Sequence, residues 1–480
     1  MKELQPTAVW HYFHEITQIP RPSKKEEKII AYLQAFGKNN GLETKTDKIG
    51  NVLISKAGTK GCENCETVIL QAHVDMVCEK NSDVEFDFDT QPIPAYVDGD
   101  WIKTRGTTLG ADNGIGMAMM LALLASDDIP HPPLECLFTV EEETGLAGAF
   151  ALETGFLTGK TLINLDSDTA GEIFVGCAGG IDTVGKIAYK TVETPANQFA
   201  FELSVSGLRG GHSGVDIGEE RGNANKILNR FLWKLNTEMP VHLASIDGGN
   251  LRNAIAREAR AVACVPFGEK ERVRVLFNIF VSEMENEKAK KEPDMKFSLE
   301  SCEIPKALIE KTTSDLLFDT IYACPHGVVA MSADMPGLVE TSTNLASVKM
   351  RENNIIELTT SQRSSVESAK NDIANMVKCA LKLGGCEVTQ GEGYPGWKPN
   401  LDSAILKKAQ VSFEKISGQK SNIRAIHAGL ECGLFLEKYP YLDMISIGPT
   451  MKDIHSPDER LSISDTKKCF EWLCEILKCK

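Results

Sequence analysis

His73, Asp112, Glu143, Asp166 and His455 are side chains of the kind that ligate divalent cations, and each falls where a predicted strand or helix begins or ends. His73-Val74-Asp75 follows the apolar run Val68–Ala72. A metal-bound imidazole is commonly steered by such a carboxylate, although a core-edge histidine bonded to its neighbour reads the same way. Glu141-Glu142-Glu143-Thr144-Gly145 directly follows the apolar stretch 134–140. Three adjacent carboxylates at a strand end repel one another by on the order of a few kcal/mol in a partly dry site unless cations sit among them. A solvated acidic turn is the plainer alternative. Asp112, in Gly110-Ala111-Asp112-Asn113-Gly114, stands at a loop-to-helix junction, where an N-cap aspartate is ordinary. Asp166 closes the short run Leu162–Leu165.

Zinc, manganese and cobalt share a taste for these imidazole and carboxylate donors. Together the five are too many for one open zinc site. If one carboxylate bridges, each of two cations receives the bridge, one imidazole and one further carboxylate. Two dications then balance three ligating carboxylates and one hydroxide.

The elements that must position these groups are legible as patterns. Val9, Phe13, Ile16 and Ile19 form one helical face, ended by Pro20-Arg21-Pro22. Ser23 with Glu26 three residues on predicts a capping box opening the next helix. Residues 44–46 and 52–54 read as short strands, and the runs ending at His73, Glu141 and Asp166 as buried ones. Alternation of strands with helices predicts an α/β domain whose central sheet is mainly parallel. From about Val184 the texture changes to alternating strands and long amphipathic helices, which predicts an inserted α+β domain. The expected boundaries are 1–183, 184–393 and 394–480, the first and last forming one domain. Within the insertion lie Gly211-His212-Ser213-Gly214, the amide-rich loop containing Asn253, and Arg363, read as following the strand 355–360. Alone, each is turn chemistry or a surface charge. Near the end, His455 precedes a helix start marked by Pro457, and a last helix carries Phe470, Leu473 and Ile476 inward.

The chain has 480 residues, which calls for more than one core, since single domains seldom exceed roughly 250 to 300 residues. Its net charge of -15 argues against nucleic acid and anionic membrane as partners. No apolar run approaches membrane-spanning length, and the first residues carry no signal-peptide pattern. The 14 cysteines read as reduced thiols of a cytoplasmic protein. Cys62-Glu63-Asn64-Cys65 has no second pair at finger spacing and reads as a surface turn.

Taken together, these motifs resemble the co-catalytic zinc peptidases of the aminoacylase, carnosinase and carboxypeptidase-G group, and most closely its bacterial dipeptidases. The carriers are His73-Val74-Asp75-Met76, Gly110-Ala111-Asp112-Asn113-Gly114, Glu142-Glu143-Thr144-Gly145, Asn164-Leu165-Asp166, Gly211-His212-Ser213-Gly214, His427-Ala428-Gly429-Leu430-Glu431 and His455. The resemblance implies two zinc ions per chain, with manganese or cobalt as substitutes. It makes Asp112 the bridge, His73 and Asp166 the ligands of one metal, and Glu143 and His455 those of the other. It makes Glu142 the general base, Asp75 the residue orienting His73, and His212 an oxyanion donor in a lid domain through which a homodimer forms. Asn253, Arg363 and Gly429 become substrate-holding positions, with Gly429 back in the catalytic domain. Glu141 stands where much of the group has Asp. The implied activity is broad dipeptide hydrolysis, Xaa-His dipeptides included, by a water that Glu142 activates between two metals. An N-acyl-amino-acid amidohydrolase is the alternative within the enzymes, and a metal-dependent peptide-binding protein without turnover the alternative outside them.

Overall fold

The computed structural model describes Met1 and residues 3–479, in two compact units. The first comprises Met1–Cys177, Trp397–Ala425 and Leu430–Lys480, and the second Ala178–Gly396 with Ile426–Gly429. The junctions thus lie at 177/178 and 396/397 instead of 183/184 and 393/394, and Gly429 packs with the second unit.

In the first unit an eight-stranded sheet runs Glu43–Thr46, Val52–Lys56, Leu134–Thr139, Val68–His73, Thr161–Asn164, Asp443–Ser446, Glu172–Cys177, Asn422–Ile426. Its four central strands are parallel and its edges turn antiparallel. Val68–His73 and Leu134–Thr139 are buried along nearly their whole length, which is why they read as unbroken apolar runs. Register places His73 beside Thr139 and Gln71 beside Asn164. The segments that follow these strands therefore leave the sheet at one end, as open parallel sheets require of a site. The helix Ala111–Ala125 is apolar on all sides and almost wholly buried. Helix Thr7–Thr17 packs on it through Val9, Trp10, Phe13 and Ile16.

Three local expectations are corrected here. The capping box does not form: the second helix spans Glu27–Asn39 with no side-chain cap, because Ser23 and Glu26 bond elsewhere. No helix begins at Pro457. His455 instead lies on the turn between strands Met451–Lys452 and Arg460–Ser462 of a four-stranded sheet. The last helix, Ile463–Leu477, starts at Ser462, whose hydroxyl accepts from the Asp465 amide. Finally, not all cysteines are reduced, since Cys62 is disulfide-bonded to Cys479, 417 residues away. The remaining cysteines are free thiols.

The second unit is an antiparallel nine-stranded sheet, ordered Lys296–Ser301, Gln198–Ser206, Ala259–Pro266, His242–Gly248, Val339–Arg351, Ile355–Ser364, Gly179–Ala188, Glu387–Gln390, with Gly327–Met331 paired to Val339–Arg351. Helices including Ala224–Glu238, Lys311–Ala323 and Glu367–Leu383 cover it, and Phe201, Phe231, Phe280 and Phe318 lie at the centre of its core. Arg363 sits inside the strand Ile355–Ser364, opposite Ser342 and Gly180, and not after it. Among the described residues no helix is long and apolar enough to cross a membrane.

Candidate metal centre

The first unit brings together every cation-type residue picked from it. His73, Asp112 and Asp166 form one group of converging ligand atoms, and Asp112, Glu143 and His455 another. Asp112 is common to both and faces them with different oxygens. Its Oδ1 lies 2.9 Å from His73 Nε2 and its Oδ2 3.2 Å from His455 Nε2. His455 Nε2 is also 3.0 Å from Glu143 Oε1, and His73 Nε2 is 3.5 Å from Asp166 Oδ1. A third group, His73 with Glu142 and Glu143, puts Glu142 within reach of the same space.

Asp75 holds this arrangement from behind. It is fully buried, and its carboxylate lies 3.3 Å from His73 Nδ1, so the imidazole turns Nε2 toward Asp112. The same carboxylate accepts from the backbone amides of Glu142 (3.0 Å) and Glu143 (3.2 Å) and from the Ser23 hydroxyl (2.7 Å). Those amides can reach it because Glu141 adopts a left-handed φ of 50°, bending the chain as it leaves the strand. Glu26 accepts from the Glu141 amide. Ser23 and Glu26 thus do for the site what their spacing suggested they would do for a helix.

Asp112 is fixed with equal care. Glu459, nearly fully buried, accepts from four successive amides, those of Leu109, Gly110, Ala111 and Asp112. Exposed N–H groups at a chain reversal into a helix bind anions, and here the anion is built in. Arg21 is buried and donates to the carbonyls of Val74, Asp75 and Gly110. A Cβ at Gly110 would stand 2.6 Å from the Arg21 guanidinium, and the residue's φ is +66°, so both space and backbone call for glycine. Asn113 donates to the Leu165 carbonyl and to Asp166.

The electrostatics follow from crowding carboxylates in a dry place. Burial opposes charge on His73, yet Asp166, Asp112 and Asp75 outweigh it and hold the imidazole well above its usual pKa. Hydrogen bonds to Asp112 and Glu143 push His455 up to about 10. Burial also opposes charge on Asp112, but His455 and His73 keep it far below the normal carboxylate range. Burial, reinforced by Asp112 and resisted by His73, pushes Asp166 up to about 6. Burial raises Glu142 well above its normal range, His73 opposing and Asp166, Glu431 and Glu143 adding to it. Glu431, which accepts from Gln71 and Thr139, is pushed by burial up to about 8. Where the carboxylates are ionised and the imidazoles protonated, the two rings supply the positive charge that bound cations would otherwise supply. The donor chemistry suits dications of the zinc type.

In the second unit, His212 Nδ1 accepts from the amides of Gly214 and Val215, which leaves Nε2 to carry the proton of the neutral ring. Burial, then the charge of Arg363, lowers its pKa, keeping it neutral. Arg363 is only 7% exposed, donates to the Tyr394 hydroxyl at 2.8 Å, and has no partner for Nε. Among the described residues no carboxylate pairs with it, so it is not the surface cation that its sequence context allowed. His427 is buried and lies 2.7 Å from the Ser342 hydroxyl, and burial lowers its pKa to about 3. A Cβ at Gly429 would meet the Tyr394 ring at 2.9 Å. Asn253 is exposed, and its carbonyl accepts from the Ser213 amide beside His212. Sequence reasoning gave no role to Arg21, Glu459 or Tyr394, and took His427 and Glu431 only as members of the motif His427-Ala428-Gly429-Leu430-Glu431. For Arg21 the available signal was its place between Pro20 and Pro22, which read as a mere helix stop.

Comparison with known proteins gives a consistent set of relatives. The description Peptidase family M20/M25/M40 matches residues 69–478. The cytosol non-specific dipeptidase of Escherichia coli (strain K12) is 42% identical over 478 residues, covering 100% of this chain and 98% of that protein. The crystal structure of aminoacylhistidine dipeptidase from Vibrio alginolyticus matches with a TM-score of 0.94 at 41% identity, covering 99% of this chain and 97% of that one. An aminopeptidase from Bacillus cereus ATCC 10987 shares the fold, with a TM-score of 0.57, 17% identity and coverage of 99% and 98%.

Two outcomes are expected from this geometry. Glu459→Ala should leave the fold intact by circular dichroism and weaken zinc affinity about 10- to 100-fold, as loss of an outer support does; unchanged affinity in a competition titration would remove Glu459 from the support of Asp112. Because the neighbouring carboxylates raise both imidazoles, cation uptake at neutral pH must displace their protons, and affinity should fall as pH falls. Calorimetry in buffers of different ionisation enthalpy should show roughly two protons released per chain, and no buffer dependence would contradict that account.

Proposed function

The chain belongs to peptidase family M20/M25/M40, and from that premise we propose that it is a dipeptidase of broad specificity, Xaa-His dipeptides included, working at two divalent cations. The observation that supports this most directly is the sharing of Asp112 between two ligand groups, one oxygen to each. His73 and Asp166 complete one position, Glu143 and His455 the other, and zinc is the proposed resident with manganese and cobalt as substitutes. When bound, the two cations polarise the scissile carbonyl and bring a water toward neutral pKa.

The chain's own residues account for the remainder. Glu142 takes a proton from the attacking water and returns it to the leaving amine, so one carboxylate serves twice. Its raised pKa suits that exchange, since a carboxylate of normal acidity would take the proton from water poorly. Asp75 keeps His73 in the tautomer that presents Nε2 to a cation. The reading assigns the neutral Nε2–H of His212 to the oxyanion of the tetrahedral intermediate. It assigns Arg363 to the free C-terminal carboxylate of the dipeptide, where a guanidinium fork fits best. A buried arginine without a carboxylate partner is costly unless an anion completes it, and the substrate would be that anion. Asn253 and Gly429 are assigned to substrate binding, Gly429 through the close approach its missing side chain gives Tyr394. The relative from Escherichia coli is named as cytosolic, which supports a cytoplasmic placement. A homodimer through the second unit is part of the same reading, with exposed Val275 and Ile279 on its helix Lys270–Lys288 as available apolar surface.

Glu142→Gln keeps the shape and removes the proton acceptor, so kcat on a dipeptide should fall at least roughly 10² to 10⁴-fold with cation content unchanged. Glu143→Gln should instead lower cation content by elemental analysis. Exchange of those two phenotypes would move the base and the ligand by one residue, which the proximity of Glu142 to His73 and Glu143 makes a real test.

Arg363→Ala should cost kcat/KM on a free dipeptide about 2 to 4 kcal/mol. Amidating the dipeptide's C-terminus should cost the wild type a similar amount, and the two losses should not add. Equal rates on free and amidated dipeptides would exclude the carboxylate grip.

A further inference from the structure

Away from the carboxylate cluster, one other set of ligand-type side chains converges. The sulfur atoms of Cys62, Cys65 and Cys479 lie within 4.8 Å of one another. Cys62-Glu63-Asn64-Cys65 is a turn closed by the Cys65 amide donating to the Cys62 carbonyl at 3.1 Å, and the Cys62 amide donates to Thr59 at 2.8 Å. Thr59 is in turn bonded to His131, and a Cβ at Gly58 would touch the Cys62 carbonyl and Pro133, so the turn is seated firmly. Cys479 arrives from beyond the helix Ile463–Leu477. Cys62 is buried and the other two are half-buried.

We propose that, in the reduced chain, these three thiolates form a third metal site, taking a soft d¹⁰ cation such as zinc and separate from the two-cation centre. Thiolates about 2.3 Å from zinc in a tetrahedral arrangement stand roughly 3.8 Å apart; the three sulfurs already lie within 4.8 Å of one another, and breaking the Cys62–Cys479 bond lets that pair part to the same distance. Sulfur ligands select soft cations and leave hard ones to the carboxylates. A disulfide between Cys62 and Cys479 uses two of the sulfurs and leaves Cys65 without a purpose, whereas a metal uses all three. The other cysteines, among them buried Cys136, Cys177, Cys264 and Cys432, are all free thiols, as in a chain that lives reduced. The disulfide is the oxidised form of the site. A dithiol reductant gives up two electrons and two protons, becoming a disulfide itself and leaving Cys62 and Cys479 as thiols. The cation then displaces the thiol protons of all three residues. Solvent supplies the fourth ligand past the half-buried Cys65 and Cys479. The bound metal staples the end of the last helix to the loop that leads into the His73 strand.

The test uses the full chain with its catalytic cations in place, reduced with a phosphine under anaerobic conditions and titrated with Cd²⁺. Thiolate-to-cadmium charge transfer in the ultraviolet reports sulfur ligation alone, and a centre of carboxylates and imidazoles cannot produce it. Absorbance should saturate at about one Cd²⁺ per chain, with Zn²⁺ competing, and should vanish after oxidation with diamide. Cys65→Ser should bind at least roughly tenfold more weakly while hydrolysing dipeptides as the wild type does, which shows its fold intact. Cys479→Ser should behave alike should Cys65→Ser fail to fold, and Cys379→Ser, which removes an exposed thiol elsewhere, should change nothing. No saturable band in the wild type, or a Cys65→Ser variant that titrates like it, overturns the proposal.

Discussion

The first unit is built around a concentration of buried negative charge. Asp75, Asp112, Glu142, Glu143, Asp166, Glu431 and Glu459 crowd one end of the sheet, and the protein answers them with Arg21, His73 and His455. An isolated carboxylate in such surroundings would either protonate or tear the structure open. Each acid here has found a different settlement. Against its burial, Asp75 is held ionised by His73, the Ser23 hydroxyl and backbone amides; Glu459 accepts from four amides while burial raises its pKa; Glu431 is pushed by burial toward its neutral form; and Asp112 is held ionised by two imidazoles. What remains is the group facing the imidazoles, which the protein's own cations do not fully balance. Two dications complete that balance better than any further side chain could, and the need for them is written into the fold's electrostatics.

That constraint explains why support residues are spent so heavily. A carboxylate at a cation must be held to within a fraction of an ångström, and a strand end cannot do this alone. Asp75 ties the ring of His73 to the turn carrying Glu142 and Glu143, so a ligand and the proposed base share one anchor. Arg21 ties the backbone around Asp75 to Gly110, and Glu459 ties the approach to Asp112 to the segment bearing His455. Through these links His73, Asp112, Glu143 and His455, from four separate chain segments, are tied to one another, and Asn113 ties in Asp166. Substitution at any support should be felt at the cations before it is felt in the fold.

What could be read from the sequence was what rests on rare residue types at element ends. Histidines and acids directly after apolar runs marked His73, Glu142, Glu143 and Asp166, because a buried strand announces itself and then hands over the next residue. Arg21 and Glu459 were unreadable, since Glu459 meets Leu109 across 350 residues and nothing near either position records the meeting. Ser23 and Glu26 show the opposite failure. Their spacing is a true local signal for a helix cap, yet the tertiary demand at Asp75 and Glu141 outbid it. The pairing of Cys62 with Cys479 was hidden for the same reason as Glu459: a motif with its third member at the far end of the chain looks incomplete. In the second unit, strand and helix textures were clear, but the burial of Arg363 depends on the strands Val339–Arg351 and Gly179–Ala188 on either side of it.

The second unit also carries an imbalance, of opposite sign to the first. Among the described residues Arg363 is a buried cation with a phenol and no carboxylate as partner, and His212 is kept neutral with its one proton on the nitrogen away from the loop amides. Both states are set before any substrate arrives, by strand pairing for the arginine and by the turn Gly211–Gly214 for the imidazole. A neutral donor and an unpaired guanidinium suit an oxyanion and a carboxylate, the charges that a dipeptide offers when its peptide bond is attacked. On the proposed reading, the cost of holding Arg363 without a carboxylate partner would be recovered on binding a ligand with an anion in the right place. A ligand lacking that anion would leave the cost standing, so on the same proposal the arginine rejects the wrong substrate as much as it holds the right one.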